Sequence, residues 1–260
     1  MKSEYEKAII TSTFGGKSYD NGAKAKEALI RSQRLINYLH EHVKEILINE
    51  GVSPKKIIPS LKKSSPELGL PGLYKSKKQD ISVVPDSTII PLIGKTAKKE
   101  DIEKILTVNV RSQLSSLNKN IDTLYERTFA EPLNLHLNYP KQCLGEVYLI
   151  PTHEYDDKAM KENKVVFKPI TRIENYIKMF QAINDRTGIK DDPQKYERIS
   201  LLIVDFQKSN PKLYSSSSEL IKDGLLREES EVKLEKLAID DFGKDILNIY
   251  SQRFDISLLK

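Results

Sequence analysis

The sequence predicts an α/β protein with a mixed central sheet flanked by helices. Three observations carry this expectation. Strand-length runs rich in β-branched residues occur at Ile105–Val110, Gly145–Ile150 and Leu201–Phe206; helix-period segments stand between them; and no internal repeat points to a solenoid or propeller instead.

Taken in order, Gly15-Gly16 and Asn21-Gly22 punctuate the first segment. Ala23–Ile48 then carries Ala25, Ala28, Leu29, Leu35, Ile36, Leu39, Val43, Ile46 and Leu47 at helical spacing, which predicts one long amphipathic helix with at most one break, stopped at Gly51. A loop with Pro54, Pro59, Pro66 and Pro71 follows. Leu73–Tyr74 and Ile81–Val84 flank Lys77-Lys78 and read as a short hairpin or paired strand region. Ile105–Val110 is a strand whose period of two sends Asn109 and Arg111 to the face opposite Val108 and Val110. Leu114–Phe129, entered through Ser115-Ser116, reads as a helix, and so does Ile173–Asn184; Ser215–Ser218 reads as a linker and a last helix ends near Arg253. The organisation expected is one domain over 1–260, with an N-terminal helical part at 1–52 and a core at 70–210.

Composition bounds the function classes. The 260 residues are 38% hydrophobic and 30% charged, enough apolar material for a core. The net charge of +5 is too mild to argue for nucleic acid alone, but its distribution is uneven. Lys55, Lys56, Lys62, Lys63, Lys75, Lys77, Lys78, Lys95, Lys98 and Lys99 face only Glu67, Asp80 and Asp86, whereas Glu228 to Asp245 runs acidic. The single cysteine, Cys143, excludes an intramolecular disulfide and, with four scattered histidines, disfavours a zinc cluster. The opening Met1-Lys2-Ser3-Glu4 lacks an apolar signal core, and no run approaches the roughly 18 apolar residues of a membrane span. A reducing cytoplasmic location is expected, with no membrane partner.

Two segments carry chemistry. Gly72-Leu73-Tyr74-Lys75-Ser76-Lys77-Lys78-Gln79-Asp80-Ile81-Ser82-Val83-Val84 places an acid at the start of an apolar run, and Leu106-Thr107-Val108-Asn109-Val110-Arg111-Ser112-Gln113 places alternating polar groups on a strand. Together they resemble the active-site motifs of a subgroup of type II restriction endonucleases of the PD-(D/E)XK superfamily, in which the second motif ends Glu-x-Lys-Ser-Gln. Ser115-Ser116, Lys119-Asn120, Asp122-Thr123, Glu126 and Asn134-Leu135 fall in step with the family's following positions without a gap. The resemblance spans about Arg31 to Ile150 and gives no help with the last third of the chain.

The resemblance implies a restriction-endonuclease-like fold and Mg²⁺-dependent (or Mn²⁺-dependent) hydrolysis of phosphodiester bonds in double-stranded DNA. Hard divalent ions held by carboxylates stabilise the attacking and leaving oxygens. Asp80 keeps the family's first acid, but Asn109 and Arg111 stand where the family has Glu and Lys. An amide oxygen brings no charge to a metal, and Arg111 can grip a phosphate but cannot readily accept a proton. Glu126 or Glu146 is therefore the expected second acid and metal ligand beside Asp80, with Asn109 a neutral ligand or water-positioning group and Arg111 the phosphate and transition-state stabiliser. Lys77, Lys78, Gln113, Ser116, Lys119 and Asn120 are expected along the DNA-facing surface. The implied partners are double-stranded DNA, a second copy in a symmetric dimer reading a palindrome, and a cognate methyltransferase or other phage-defence component.

Plainer readings stand beside these. Asp80 alone reads first as a turn or capping residue, while Glu146 reads equally as a paired core acid and the lysine-rich loops as solubilising charge. His136 and His153 read as structural or surface residues, Glu154-Tyr155-Asp156-Asp157 as a solvated loop, and Cys143 as a buried packing residue. Asn109 and Arg111 favour an alternative function, a catalytically silent DNA-binding or partner subunit on the same fold.

Overall fold

A strand that buries both faces must be covered by helices on both sides, and the apolar runs read above do become the centre of such a sheet. The computed structural model describes residues 2–62, 66–169 and 172–260; Lys63, in the lysine-rich stretch, and the side chains of Leu35 and Asn118 lie outside the description.

The chain opens with α1 (Lys2–Thr11), the small hairpin β1 (Thr13–Phe14) and β2 (Lys17–Ser18), then α2 (Gly22–Arg31) and α3 (Arg34–Asn49). The helix expected over 23–48 is thus two helices, parted where Gln33 takes a left-handed φ of 58°. Asn21 starts α2 by accepting the Lys24 N–H, the usual role of an N-cap side chain. After β3 (Ile57–Ile58) come β4 (Leu68–Pro71) and β5 (Ser76–Gln79), paired as a hairpin, and then β6 (Ile81–Val83). Leu73-Tyr74 are therefore the turn of this hairpin, and Lys77-Lys78 lie in its second strand rather than between strands.

Next come α4 (Lys99–Glu103), β7 (Leu106–Ser112), α5 (Leu117–His136) and β8 (Leu144–Pro151). The short pair β9 (His153–Tyr155) and β10 (Phe167–Pro169) brackets α6 (Asp157–Lys161); α7 (Ile173–Ala182), β11 (Arg198–Asp205), β12 (Lys212–Tyr214), α8 (Ser217–Lys222) and α9 (Phe242–Ser251) complete the chain. Ser215–Ser218 is not a linker: Ser216 caps α8 through the Glu219 N–H.

Six strands form the central sheet in the order β12-β11-β8-β7-β6-β3. β3, β6 and β7 run antiparallel as a meander, β7, β8 and β11 run parallel, and β12 returns antiparallel. The mixed α/β class is the one expected, and the arrangement is compatible with a restriction-endonuclease-like core. Alternation sorts the faces. Val108, Val110, Val147 and Leu149 pack with Val43 and Leu47 of α3 and with Phe242 and Ile246 of α9. Leu144, Tyr148 and Ile150 pack with α5 and α7 through Leu124, Tyr176 and Phe180. α9 lies so close that a Cβ on Gly145 would come within 2.9 Å of Phe242 and Ile246.

The remaining sequence expectations settle into structural roles. Cys143 is buried, as expected. His136 is also buried, and its rings face Pro193 O, Gln142 O and the Glu197 carboxylate. The acidic cluster is not a solvated loop. Glu154 is buried and accepts the Leu117 N–H at 2.6 Å, starting α5 where Ser116 makes no side-chain cap, while Asp156 caps α6. α5 itself runs to His136, about two turns past the expected stop at Phe129, across Pro132.

Candidate active site

The pivot of the site is the single residue between β5 and β6. β5 belongs to the peripheral hairpin and β6 to the central sheet, so Asp80 sits where the chain changes sheets. Continuing the β6–β7 register, it stands opposite Asn109. Its N–H donates to Asn109 Oδ1 at 3.2 Å, and its Oδ2 accepts the Val110 N–H at 2.7 Å. Burial pushes the Asp80 carboxyl above its ordinary pKa and the neighbouring Glu131 adds to this, against the opposing pull of the Val110 N–H, His40 and Arg111.

Asn109 is buried and committed to its neighbours. Besides accepting from Asp80, its Nδ2 donates to Gln79 Oε1 at 3.2 Å and to Glu131 Oε1 at 3.0 Å. It acts as a bracket joining β5, β7 and α5. Two residues on, Arg111 points to the same face; its Nη2 pairs with Glu131 Oε2, and its Nε lies 3.4 Å from Glu146 Oε1. Lys77 reaches the same Glu131 oxygen at 3.1 Å. Glu146, opposite Asn109 on β8, is fully buried, and neither of its oxygens accepts a hydrogen bond among the described residues. Burial pushes its carboxyl up to about 8 despite Arg111. The Tyr196 hydroxyl, also buried without a partner, is near enough for the two groups to affect one another's ionisation. Glu146 in turn holds the Arg111 guanidinium more firmly protonated.

The site therefore brings together Asp80, Asn109, Arg111 and Glu146 as the sequence suggested, and corrects the other acid. Glu126 is exposed on α5; Glu131, five residues later and about 140° around the helix, is the acid that meets Asn109 and Arg111. Ending the helix at Phe129 hid this, because helical phase carried two residues further is what turns Glu131 inward. His40 and Tyr196 were missed as well. His40 stands at helical spacing among apolar residues of α3 and carries no motif; Tyr196 comes from a loop before β11.

Two clefts open on these residues. One of about 880 Å³ is lined by Tyr74, Lys75, Lys77, Arg111, Gln113, Asn120, Arg127, Glu131 and Tyr148. The other, of about 540 Å³, holds Asp80 with His40, Glu41, Lys44, Lys62 and Glu67, and the two share Ile36. His40 Nε2 is buried with no hydrogen-bond partner among the described residues. Gln113 is tied down, donating to Ser115 O and accepting from the Tyr148 hydroxyl. Lys78, Ser116, Lys119 and Asn120 are exposed, and Lys77 is half-buried. Among the described residues no three His, Cys, Asp or Glu side chains are grouped closely enough to hold a metal ion as they stand, and no helix is long and apolar enough to cross a membrane.

Comparison of the chain with protein-family models, curated proteins and solved structures finds no significant match.

Proposed function

We propose that this chain is a restriction-type DNA endonuclease that hydrolyses phosphodiester bonds with the help of Mg²⁺ or Mn²⁺. The observation that carries the reading is Glu131. The strand position expected to bear the second acid holds Asn109, and an acid from α5 reaches that same amide at 3.0 Å. Asp80, Glu131 and Glu146 thus approach β7 from the β5–β6 junction, α5 and β8, beside a cleft lined by Lys75, Lys77, Arg111 and Arg127.

The donor set suits a hard cation. Carboxylate oxygens are the preferred ligands of Mg²⁺, and among the described residues neither buried Glu146 oxygen accepts a hydrogen bond, its nearest cation being the Arg111 Nε at 3.4 Å. A bound divalent ion would supply charge stabilisation at the attacking and leaving oxygens. The chain's own groups divide the rest. Arg111 and Lys77 neutralise and orient a phosphate. Asn109 fixes the relative positions of Asp80 and Glu131. Arg111 cannot accept the proton of an attacking water, and the His40 imidazole, which shares a cavity with Asp80, can take it at Nε2. A symmetric dimer, double-stranded DNA and a cognate methyltransferase or defence partner belong to the same proposal, as does a cytoplasmic setting.

A second reading, a catalytically silent DNA-binding subunit, is favoured by Arg111. Its guanidinium bridges Glu131 and Glu146, so a cation already stands between the acids, and among the described residues no metal-ready group of three is formed. Incubation of the protein with mixed-sequence plasmid in Mg²⁺, in Mn²⁺ and in EDTA, beside Asp80→Ala, decides between them. Metal-dependent fragments that vanish in the variant support the nuclease; retention of DNA with no cleavage in either metal supports the silent subunit.

A further inference from the structure

The tip of the β4–β5 hairpin presents two apolar side chains to water, Leu73 at 51% exposure and Tyr74 at 78%. Exposed apolar groups at a turn are common, but this turn is unusually fixed. The buried Asn134 of α5 accepts the Tyr74 N–H at 2.8 Å and the Lys75 N–H at 3.3 Å through Oδ1, and its Nδ2 donates to Lys75 O at 2.9 Å. The Leu73 N–H donates to Asn134 O at 2.9 Å, the Gly72 N–H to Lys75 O at 3.1 Å, and Asn138 Nδ2 to Pro71 O at 3.1 Å. Gly72 is required here, since a Cβ would fall 2.0 Å from Asn134 Nδ2. The turn is thus bound to the same helix that carries Glu131, and its apolar pair is held in a set position relative to the site.

What surrounds the pair indicates what it meets. Lys75 and Lys78 are exposed beside it, Lys77 is half-buried, and Arg127 is exposed across the cleft that Tyr74 and Lys75 line with Arg111. A rigid apolar tip among cations matches the two demands of a nucleic-acid wedge, phosphate neutralisation and a flat group able to replace a base in the stack. We propose that Leu73 and Tyr74 form a wedge that enters double-stranded DNA between base pairs, unstacking it while Lys75, Lys77 and Arg127 hold the flanking phosphates. This deepens the nuclease reading and rests on its DNA-binding part. Asp80 follows Tyr74 by six residues, about 20 Å if extended, so the unstacked step would be several base pairs from the scissile phosphate.

Insertion between base pairs untwists DNA at any sequence, so the test needs no knowledge of a recognition site. Closed circular plasmid is relaxed by a metal-independent topoisomerase in EDTA with increasing amounts of the protein, and the shift in linking number per bound protein is read on a gel. Binding is measured in parallel by filter retention. The wild type is expected to shift the topoisomers; Leu73→Ser/Tyr74→Ser is expected to abolish the shift per bound molecule and to weaken binding roughly tenfold. Lys75→Ala/Arg127→Ala is expected to lower affinity and its salt dependence while leaving the shift per bound molecule intact. A wild type that binds but does not untwist, or a wedge variant that untwists as well as the wild type, overturns the wedge and leaves the DNA reading standing. A wild type that retains no plasmid overturns both. Circular dichroism of the variants, altered only at exposed positions, separates these outcomes from misfolding.

Discussion

Arg111 on β7 and Glu131 on α5 form an ion pair across the gap between strand and helix, with Asn109 bonded to the other oxygen of the same carboxylate. The pair stands where a strand acid and a lysine would be expected to face each other. The acid that meets the strand comes from the helix, and the cation between the acids is an arginine, which does not readily release its proton.

Removing that cation changes what the acids can bind. In Arg111→Ala, Glu131 keeps the Lys77 ammonium and the Asn109 amide, while Glu146 loses the cation beside it. Mn²⁺ affinity in the absence of DNA, measured by titration calorimetry, is expected to rise at least about tenfold while affinity for plasmid falls. Unchanged metal affinity would mean that Arg111 does not occupy the cation's place.

Glu146 sets a pH dependence of stability. Its carboxyl titrates near 4.5 in the unfolded chain and at about 8 when folded, so between those values the folded state holds the extra proton. Stability therefore falls as pH rises through this window, by at most about 1.4 kcal/mol per pH unit. Glu146→Gln is expected to lose that slope and to match or exceed the wild type in urea midpoint at pH 8. An equal slope in the variant would show that Glu146 is ionised in both states.

A second buried acid behaves oppositely. Glu197 lies between Arg186 and Arg253, each at 2.7 Å, with His136 at 3.3 Å and the Leu144 N–H at 2.8 Å. Burial alone would raise its carboxyl, but His136, Arg253 and Arg186 outweigh it and hold it at about 2. Its stabilisation is present above the ordinary carboxylate range and lost as pH falls toward 2. Glu197→Gln leaves two arginines uncompensated at the starts of β8 and β11, and a loss of about 3–5 kcal/mol is expected at pH 7, shrinking toward pH 3.

His40→Asn is expected to slow plasmid cleavage by about 10²–10⁴ without weakening DNA retention, because the change removes a proton acceptor and no phosphate contact. Retention that falls in parallel with cleavage would place His40 in DNA binding instead.

Much of the sheet was legible because alternation and β-branched runs report burial directly: Leu106–Ser112 and Leu144–Pro151 appear within two residues of their expected ends. Of the site, Asp80, Asn109, Arg111 and Glu146 were legible from motif and alternation. Glu131 was not, because its role depends on the helix continuing past Phe129, and the nearby Pro132 argues locally for a stop there. Glu154 looked like loop acid because nothing in sequence reports that its partner is the Leu117 N–H, 37 residues away. The one break allowed in the 23–48 helix could not be placed at Gln33 from apolar spacing, and the Ser216 cap was invisible to it.

The most direct measurement is metal-dependent cleavage of plasmid by Glu131→Gln beside the wild type and Glu126→Gln, with DNA retention measured in EDTA. Glu131→Gln is expected to retain DNA and lose at least about 10³-fold in cleavage, while Glu126→Gln cleaves as the wild type does. Cleavage by Glu131→Gln at the wild-type rate would contradict the assignment of the helix acid to the active site.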